Sequence, residues 1–519
     1  METGLRPRTG FARDSACVCV LLGLLITLGA CKRLPGDDEV GLDEPANAPT
    51  AVARSKQAGG IATSLAIPDA LPTLPVQPYT GGPPPSMNIA PAADSGAPAF
   101  PLSWSPDGTS LLALLPTGRS DALGRPMGRL VVLDTTGALT WDSGDLEAPI
   151  GGQTPADWLA DGTLVLARRD GTFVRPNGSQ ASSASGLEGQ PREVWVAPRR
   201  QRALLLGPDA AFVVRPGQAA LRLDEWPLAN GTSPQPGFAW SPDGGRIAVS
   251  AADGRHLLFD ASNGTAALLL EDGSHPWEVG PPKDFWPAPT WLADGRLLLG
   301  TAIRRRYSDG DVYDHRIVNT TSARALELAS TFGLEPLEQS VDASVSANGR
   351  YVLRSSPSNA EASDGRAWLI DVLNAKAQSL PGLGEPLWSP GGDRWLRMDA
   401  AGIALITKID ENDALVQLPV PLESEAGLRE ASWSPDGRWI LVLQEDGNLV
   451  LVDAEGLSAA LGIRRLNTML GTVEEPFHVA WAADGRRLAL RMARPVLTDD
   501  DNPLASTIRL FIVKLASGS

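Results

Sequence analysis

The sequence predicts an all-β fold built from repeated four-stranded units. Three features carry that reading: a short motif that recurs along the chain, the interval between its copies, and the apolar runs that follow each copy. The pentapeptide WSPDG stands at 104–108, 240–244 and 433–437, with WLADG at 158–162 and 291–295, WAADG at 481–485 and WSPGG at 388–392. VSANG at 345–349 keeps the shape without the Trp, and WVAPRR at 195–200 keeps the Trp without the Gly. The first residues of these nine copies lie 37 to 54 residues apart, close to the interval of four-stranded propeller blades. After 240–244 come RIAVSA, RHLLFD and TAALLLED; after 433–437 come RWILVLQ, GNLVLVD and LSAALGI. Such runs between tight turns are strands, and no helical period interrupts them. The expectation is a β-propeller of nine blades, or eight if a degenerate repeat such as the one at 195 is absorbed by a neighbour.

Ahead of the array the chain has two other parts. Residues 1–30 carry Arg6, Arg8 and Arg13 followed by the apolar run CVCVLLGLLITLGA at 17–30. That run is shorter than the ~18–20 residues of a spanning helix, which favours a signal peptide. Its end, Leu28-Gly29-Ala30-Cys31, resembles the bacterial lipobox, which implies cleavage before Cys31 and acylation of its thiol. The alternatives are an ordinary signal peptide with a chance Cys, or an uncleaved anchor. Two or three acyl chains, at ~0.8 kcal/mol per buried CH₂, hold a protein on a bilayer without any helix. Lys32 follows the Cys, and by that resemblance the outer membrane, facing the periplasm, is favoured over the inner one.

Residues 31–97 are rich in Pro, Ala and Gly and nearly free of aromatics. Such a segment cannot bury enough apolar surface to offset its ordering entropy, so it reads as a disordered tether with a coil reach of roughly 45 Å. The array then occupies 98–519. Cys17, Cys19 and Cys31 are the only cysteines, so no disulfide or thiolate metal site is expected in the array. Without residues 1–30 the chain has 42 basic and 59 acidic residues, a net charge of −17. A surface of that sign repels phosphate, so nucleic acid is not an expected partner.

The motif itself reads as architecture. Pro fixes φ at the second turn position, Ser and Asp satisfy local backbone groups, and Gly takes a left-handed corner. It should close the hairpin between the first two strands of each blade. Trp104, Trp158, Trp195, Trp240, Trp291, Trp388, Trp433 and Trp481, eight of the chain's fifteen Trp, are assigned to one structural slot that packs blade against blade. Full burial of such a side chain contributes at most about 4–6 kcal/mol. The repeated WSPDG followed by an apolar strand is similar to the repeats of TolB-like, WD40-like (PD40) β-propellers, over about 98–519. That resemblance implies the fold. The chain departs from the family's namesake in carrying a tether where an α/β domain would stand, and in its lipobox, so the role of the namesake does not carry over.

If the motif turns join first to second strands, the other connections emerge at the opposite end of each blade. They are long: 115–128, 302–314, 355–365 and 493–506 between second and third strands, and 272–289, 330–342 and 464–478 between blades. Long loops on a rigid scaffold are where binding usually resides. The richest group is Trp277, Phe285 and Trp286 before the fifth motif with Arg304, Arg305, Arg306 and Tyr307 after it, residue types that anchor protein interfaces. The alternative is that the tryptophans form a lid over the blade edge. Asp309, Asp311 and Asp314 read as a solvated acidic turn rather than a Ca²⁺ loop, because no Glu closes them at the required distance. Asp499, Asp500 and Asp501 read the same way.

Catalysis has little support. His256, His275, His315 and His478 are scattered without metal-ligand spacing, no G-x-S-x-G occurs, and neither cofactor nor metal is expected. The functional expectation is a lipid-anchored envelope propeller that binds or scaffolds one or more envelope proteins. The alternative is an envelope lyase or hydrolase acting on a polysaccharide or peptide in the central funnel.

Overall fold

A computed structural model of the chain describes residues 88–89, 93–94 and 99–516, apart from 151–153, 169–170, 177–181, 190, 228–235, 252, 272–287, 305–310, 335–341, 356–366, 381–385, 399–403, 410–414, 420–427, 445–448, 455–462, 466–477 and 496–505. Nine antiparallel sheets follow one another along it. They span 100–149, 156–174, 193–222, 237–271, 290–327, 342–380, 387–419, 428–465 and 478–516, and are called blades 1 to 9. First strands of neighbouring blades touch: Phe100–Trp104 meets both Ala156–Trp158 and His478–Trp481, so the first strands are innermost and the ring is closed. The architecture is a nine-bladed β-propeller. The degenerate repeat at 195 forms a complete four-stranded blade and is not absorbed.

The apolar runs of the second and third strands explain why the blades stack. Trp439–Gln444 and Leu449–Asp453 are buried at every residue, with no in–out alternation. A strand covered on both faces reads as a continuous hydrophobic run, and here each face meets a different blade. Among the described residues the core accordingly falls into nine clusters, one per interface. The closing cluster joins Trp104, Leu111 and Val131 of blade 1 to Ala480, Ala489 and Ile512 of blade 9. Fourth strands form the rim and are mostly half-buried or exposed, as in Leu139–Pro149.

Three departures from uniform repetition have physical causes. Among the described residues blade 2 has three strands and a bridge between Thr172 and Ser183. A one-turn helix, Leu328–Thr331, follows the fourth strand of blade 5 and buries Leu328 and Ala329; it is too short for any helical period to show. Blade 9 draws its outer strand from the other end of the chain. Asn88 and Ile89 pair with Ala516 and Leu515, and Ala93 and Asp94 pair with Ile512 and Phe511. These four residues fall inside the segment read as tether, where their backbones pair with the edge of Ser506–Ala516. A chain beginning at 98 would leave the edge of Ser506–Ala516 open. It is expected to lose about 2–4 kcal/mol, at about 1 kcal/mol for each net backbone hydrogen bond, as read by urea unfolding against the full chain.

The motif turns repeat at atomic detail. The hydroxyls of Ser105, Ser241 and Ser434 donate to the carboxylates of Asp107, Asp243 and Asp436 at 2.6, 2.5 and 2.5 Å. The same hydroxyls accept from the N–H groups of Ser110, Arg246 and Trp439 at 3.0, 2.8 and 2.8 Å. The serine bond holds Asp107 and Asp243 below the usual carboxylate range. Gly108, Gly244 and Gly437 have φ of 66°, 69° and 70°, the left-handed corner that a Cβ disfavours. Gly349 adds a close approach: a Cβ there would lie 2.8 Å from the backbone of Trp291 and Ala293 in the motif turn of the preceding blade.

Candidate functional site

The motif tryptophans occupy one end of the first strands and bind backward around the ring. The indole N–H of Trp104 donates to Ala480 O at 3.0 Å, Trp158 to Ser103 O at 3.3 Å, Trp291 to Ala239 O at 3.2 Å and Trp433 to Leu387 O at 3.0 Å. Trp240 donates to Trp195 O at 3.3 Å, while Trp388 and Trp481 reach the hydroxyls of Ser344 and Ser432 at 2.9 and 3.1 Å. Every acceptor is the residue just before the motif position in the preceding blade. Cationic side chains reinforce the same end: Arg246 lies over the Trp291 ring at 5.0 Å and Arg394 over Trp433 at 5.7 Å. Arg487 of blade 9 donates to Gly108 O of blade 1 across the closure.

Trp195 does not share the slot. Ala197 and Arg202 make the backbone pair that Ser241 and Arg246 make in blade 4, and Arg200, at φ 52°, stands where the glycine stands. The slot residue of blade 3 is therefore Val196. One residue along a strand reverses the face, and Trp195 is 47% exposed against 1% for Trp158. Its indole N–H donates to Glu193 within its own strand at 3.0 Å.

Several sequence candidates lie outside the described residues: Trp277, Phe285, Trp286, Arg305, Arg306, Tyr307, His275, Asp309 and Asp499 to Asp501, as does the lipid-attachment candidate Cys31. Arg304 ends the second strand of blade 5, Leu297–Arg304, and its side chain is likewise outside. The third strand begins at Asp311, so the connection read as 302–314 shortens to 305–310.

Asp314 is consequently not part of a solvated turn. It sits in that third strand, 1% exposed, and meets the fully buried Arg354 of blade 6. Arg354 donates through Nη2 to Oδ2 at 2.9 Å and through Nε to Oδ1 at 3.4 Å. Its guanidinium also lies 5.6 Å from the Trp368 ring. Burial alone would raise the Asp314 carboxyl, but bonds from His315 and Arg354 and the guanidinium charge outweigh it and hold it well below the carboxylate range.

His256, in blade 4, is 1% exposed and shares a 2.8 Å hydrogen bond between Nδ1 and the Ser250 hydroxyl, while its Nε2 has no hydrogen-bond partner among the described residues. Burial, assisted by Arg316, pushes its imidazole down to about 4. The sign of the linkage follows. The unfolded chain protonates near 6.5 and the folded one near 4, so stability is full above pH 6.5 and falls as pH drops through that window. The loss amounts to about 3 kcal/mol by pH 4. Urea unfolding of the native chain and of H256N is expected to differ in slope between pH 6.5 and 4, with the variant flatter.

The described inner wall offers two polar features that the motif analysis did not reveal. One is the Glu193–Trp195 pair. The other is a cavity of about 350 Å³ between blades 7 and 8, lined by Leu387, Leu396, Arg397, Leu428 and Glu430. Burial raises the Glu430 carboxyl, partly opposed by Arg429. Such a volume can take one side chain of a bound segment. Both carboxylates lie in strands that read in sequence as ordinary first strands, and it takes the fold to show that Glu193 is buried and Glu430 half-buried. Among the described residues, no three His, Cys, Asp or Glu side chains gather to hold a metal ion.

No protein-family model matches the chain, and no curated protein sequence matches it. Solved structures similar to it include the Dos1 propeller, 11% identical with a TM-score of 0.42, over 82% of this chain and 95% of that one. The C-terminal WD40 domain of Sif2 is 12% identical with a TM-score of 0.40, over 84% of this chain and 100% of that one. A eukaryotic initiation factor is 14% identical with a TM-score of 0.43, over 75% of this chain and 90% of that one. The nine-blade assignment rests on the chain's own sheets and on their closure between blades 9 and 1.

Proposed function

We propose that the chain is a lipid-anchored protein of the bacterial cell envelope whose propeller binds or scaffolds other envelope proteins. The observation that carries this reading is the division of labour between the two ends of the blades. At one end the repeated side chains are consumed in bonds between blades. The connections at the other end run far longer than a hairpin needs, including 272–289 between blades 4 and 5 and 496–505 within blade 9. A stiff ring with elaborated connections on one end suits recognition of a macromolecular surface. The reading assigns Trp277, Phe285, Trp286 and the arginines Arg304 to Arg306 to the interface, with Tyr307 beside them, and Cys31 to the anchor.

The test uses the full chain, because Asn88, Ile89, Ala93 and Asp94 pair with the last strand of blade 9. Affinity capture from native envelopes is run with the native chain and with W277A/F285A/W286A, after both are shown to melt at the same temperature. A partner retained by the first and lost by the second supports the reading; retention of the same proteins by both removes the assigned surface. Labelling with an alkynyl fatty acid, lost in C31S, tests the anchor separately. A second reading, an envelope enzyme acting on a polysaccharide or peptide, draws on the Arg397–Glu430 cavity, and turnover of envelope glycans or peptides abolished by E430Q would favour it.

A further inference from the structure

The exposed Trp195 has a use that its displacement from the motif slot creates. Its ring is braced rather than loose. Phe238 of blade 4 meets it edge-on, with centroids 5.2 Å apart and planes at 87°, and Trp226 packs behind Phe238 at 5.8 Å. The Trp195 carbonyl is held by the Trp240 indole. The indole N–H is fixed on Glu193, so the carboxylate lies at the edge of the ring while nearly half of the side chain remains open to solvent.

Glu193 itself is 6% exposed, and among the described residues no Lys or Arg forms an ion pair with it. Buried carboxylates are ordinarily paired. Burial pushes the Glu193 carboxyl up, against the opposing bond from Trp195 and the more distant Arg192, which is the behaviour of an acid short of a counter-ion. An indole that is 47% exposed, beside a carboxylate with no ion pair among the described residues, is complementary to a charge carried on an organic stem: the ring quadrupole attracts it, and the carboxylate accepts its N–H groups.

We infer that Glu193 and Trp195 form a binding site for an organic cation, a primary ammonium or guanidinium group seated over the indole and bonded to the carboxylate. The cation can come from a Lys or Arg side chain of a bound protein or from a free polyamine. The site lies on the innermost strand of blade 3 and uses none of the residues assigned to the interface above, so each proposal can fail alone.

The full chain is labelled with fluorotryptophan, and the ¹⁹F resonance of Trp195 is identified by its absence from W195F. Butylammonium and butylguanidinium are titrated against butanol as the neutral control. The expected result is a saturable shift of that resonance with both cations and none with butanol, and about a tenfold weaker affinity for E193Q, a difference of about 1.4 kcal/mol. E193Q keeps the shape of the side chain, and its melting temperature should not fall, because it removes an unpaired buried charge. Spermidine and a short peptide with one central lysine then separate the sources: the tighter of the two identifies the class of natural ligand. An unsaturable shift, an equal response to butanol, or unchanged affinity in E193Q would overturn the inference.

Discussion

Replacing Trp158 with alanine is expected to destabilise the protein by about 3–5 kcal/mol, while the same change at Trp195 costs about 1 kcal/mol or less. The sequence ranks these two residues alike, since each opens a copy of the motif. The structure separates them. Trp158 is 1% exposed, packs with Leu112, Leu130 and Leu164 across the interface of blades 1 and 2, and donates to Ser103 O. Its removal leaves a cavity in a two-sided core that cannot collapse without moving a whole blade. Trp195 leaves no enclosed cavity. Urea unfolding of W158A and W195A side by side checks the contrast, and equal losses would show that both tryptophans carry the same packing role.

The second large effect is expected at the Asp314–Arg354 pair between blades 5 and 6. Asp314→Asn should cost about 3–5 kcal/mol, because Arg354, with no solvent exposure, keeps its charge and loses its principal counter-ion. Arg354→Met should cost a similar amount, because it removes the guanidinium that donates to both carboxylate oxygens of Asp314. The double variant D314N/R354M is expected to be more stable than either single one, since two buried charges vanish together. A double variant whose loss equals the sum of the single losses would mean that the two residues act independently.

The repeat period, the turn chemistry and the four-strand pattern all stand in the sequence, because a propeller repeats one local solution and each copy carries its own residues. What escapes is whatever depends on a partner far along the chain. Asp314 reads as one acid in the polar stretch SDGDVYD, and only its pairing with a residue forty positions later reveals a buried ion pair. Asn88, Ile89, Ala93 and Asp94 offer no apolar pattern, because their pairing is with the edge of the final strand. Trp195 is a different case. In WSPDG the proline follows the Trp by two residues, whereas in WVAPRR it follows by three. Aligning on the proline places Val196 in the slot, so that signal was present in the spacing. Glu193 gives no such signal, because a carboxylate in a first strand acquires meaning only once its burial and its missing counter-ion are known.

We propose that the repeated motif builds the ring and that partner binding belongs to the long connections, apart from the cation site at Glu193 and Trp195. This claim is tested most directly by comparing partner retention from native envelopes for two variants of the full chain: W277A/F285A/W286A, in the long connection before blade 5, and P242A/P435A, at two exposed motif-turn positions. The expected result is loss of the partner in the first and full retention in the second. Retention by the first with loss in the second, at matched melting temperatures, would contradict the claim and make the motif end the binding surface.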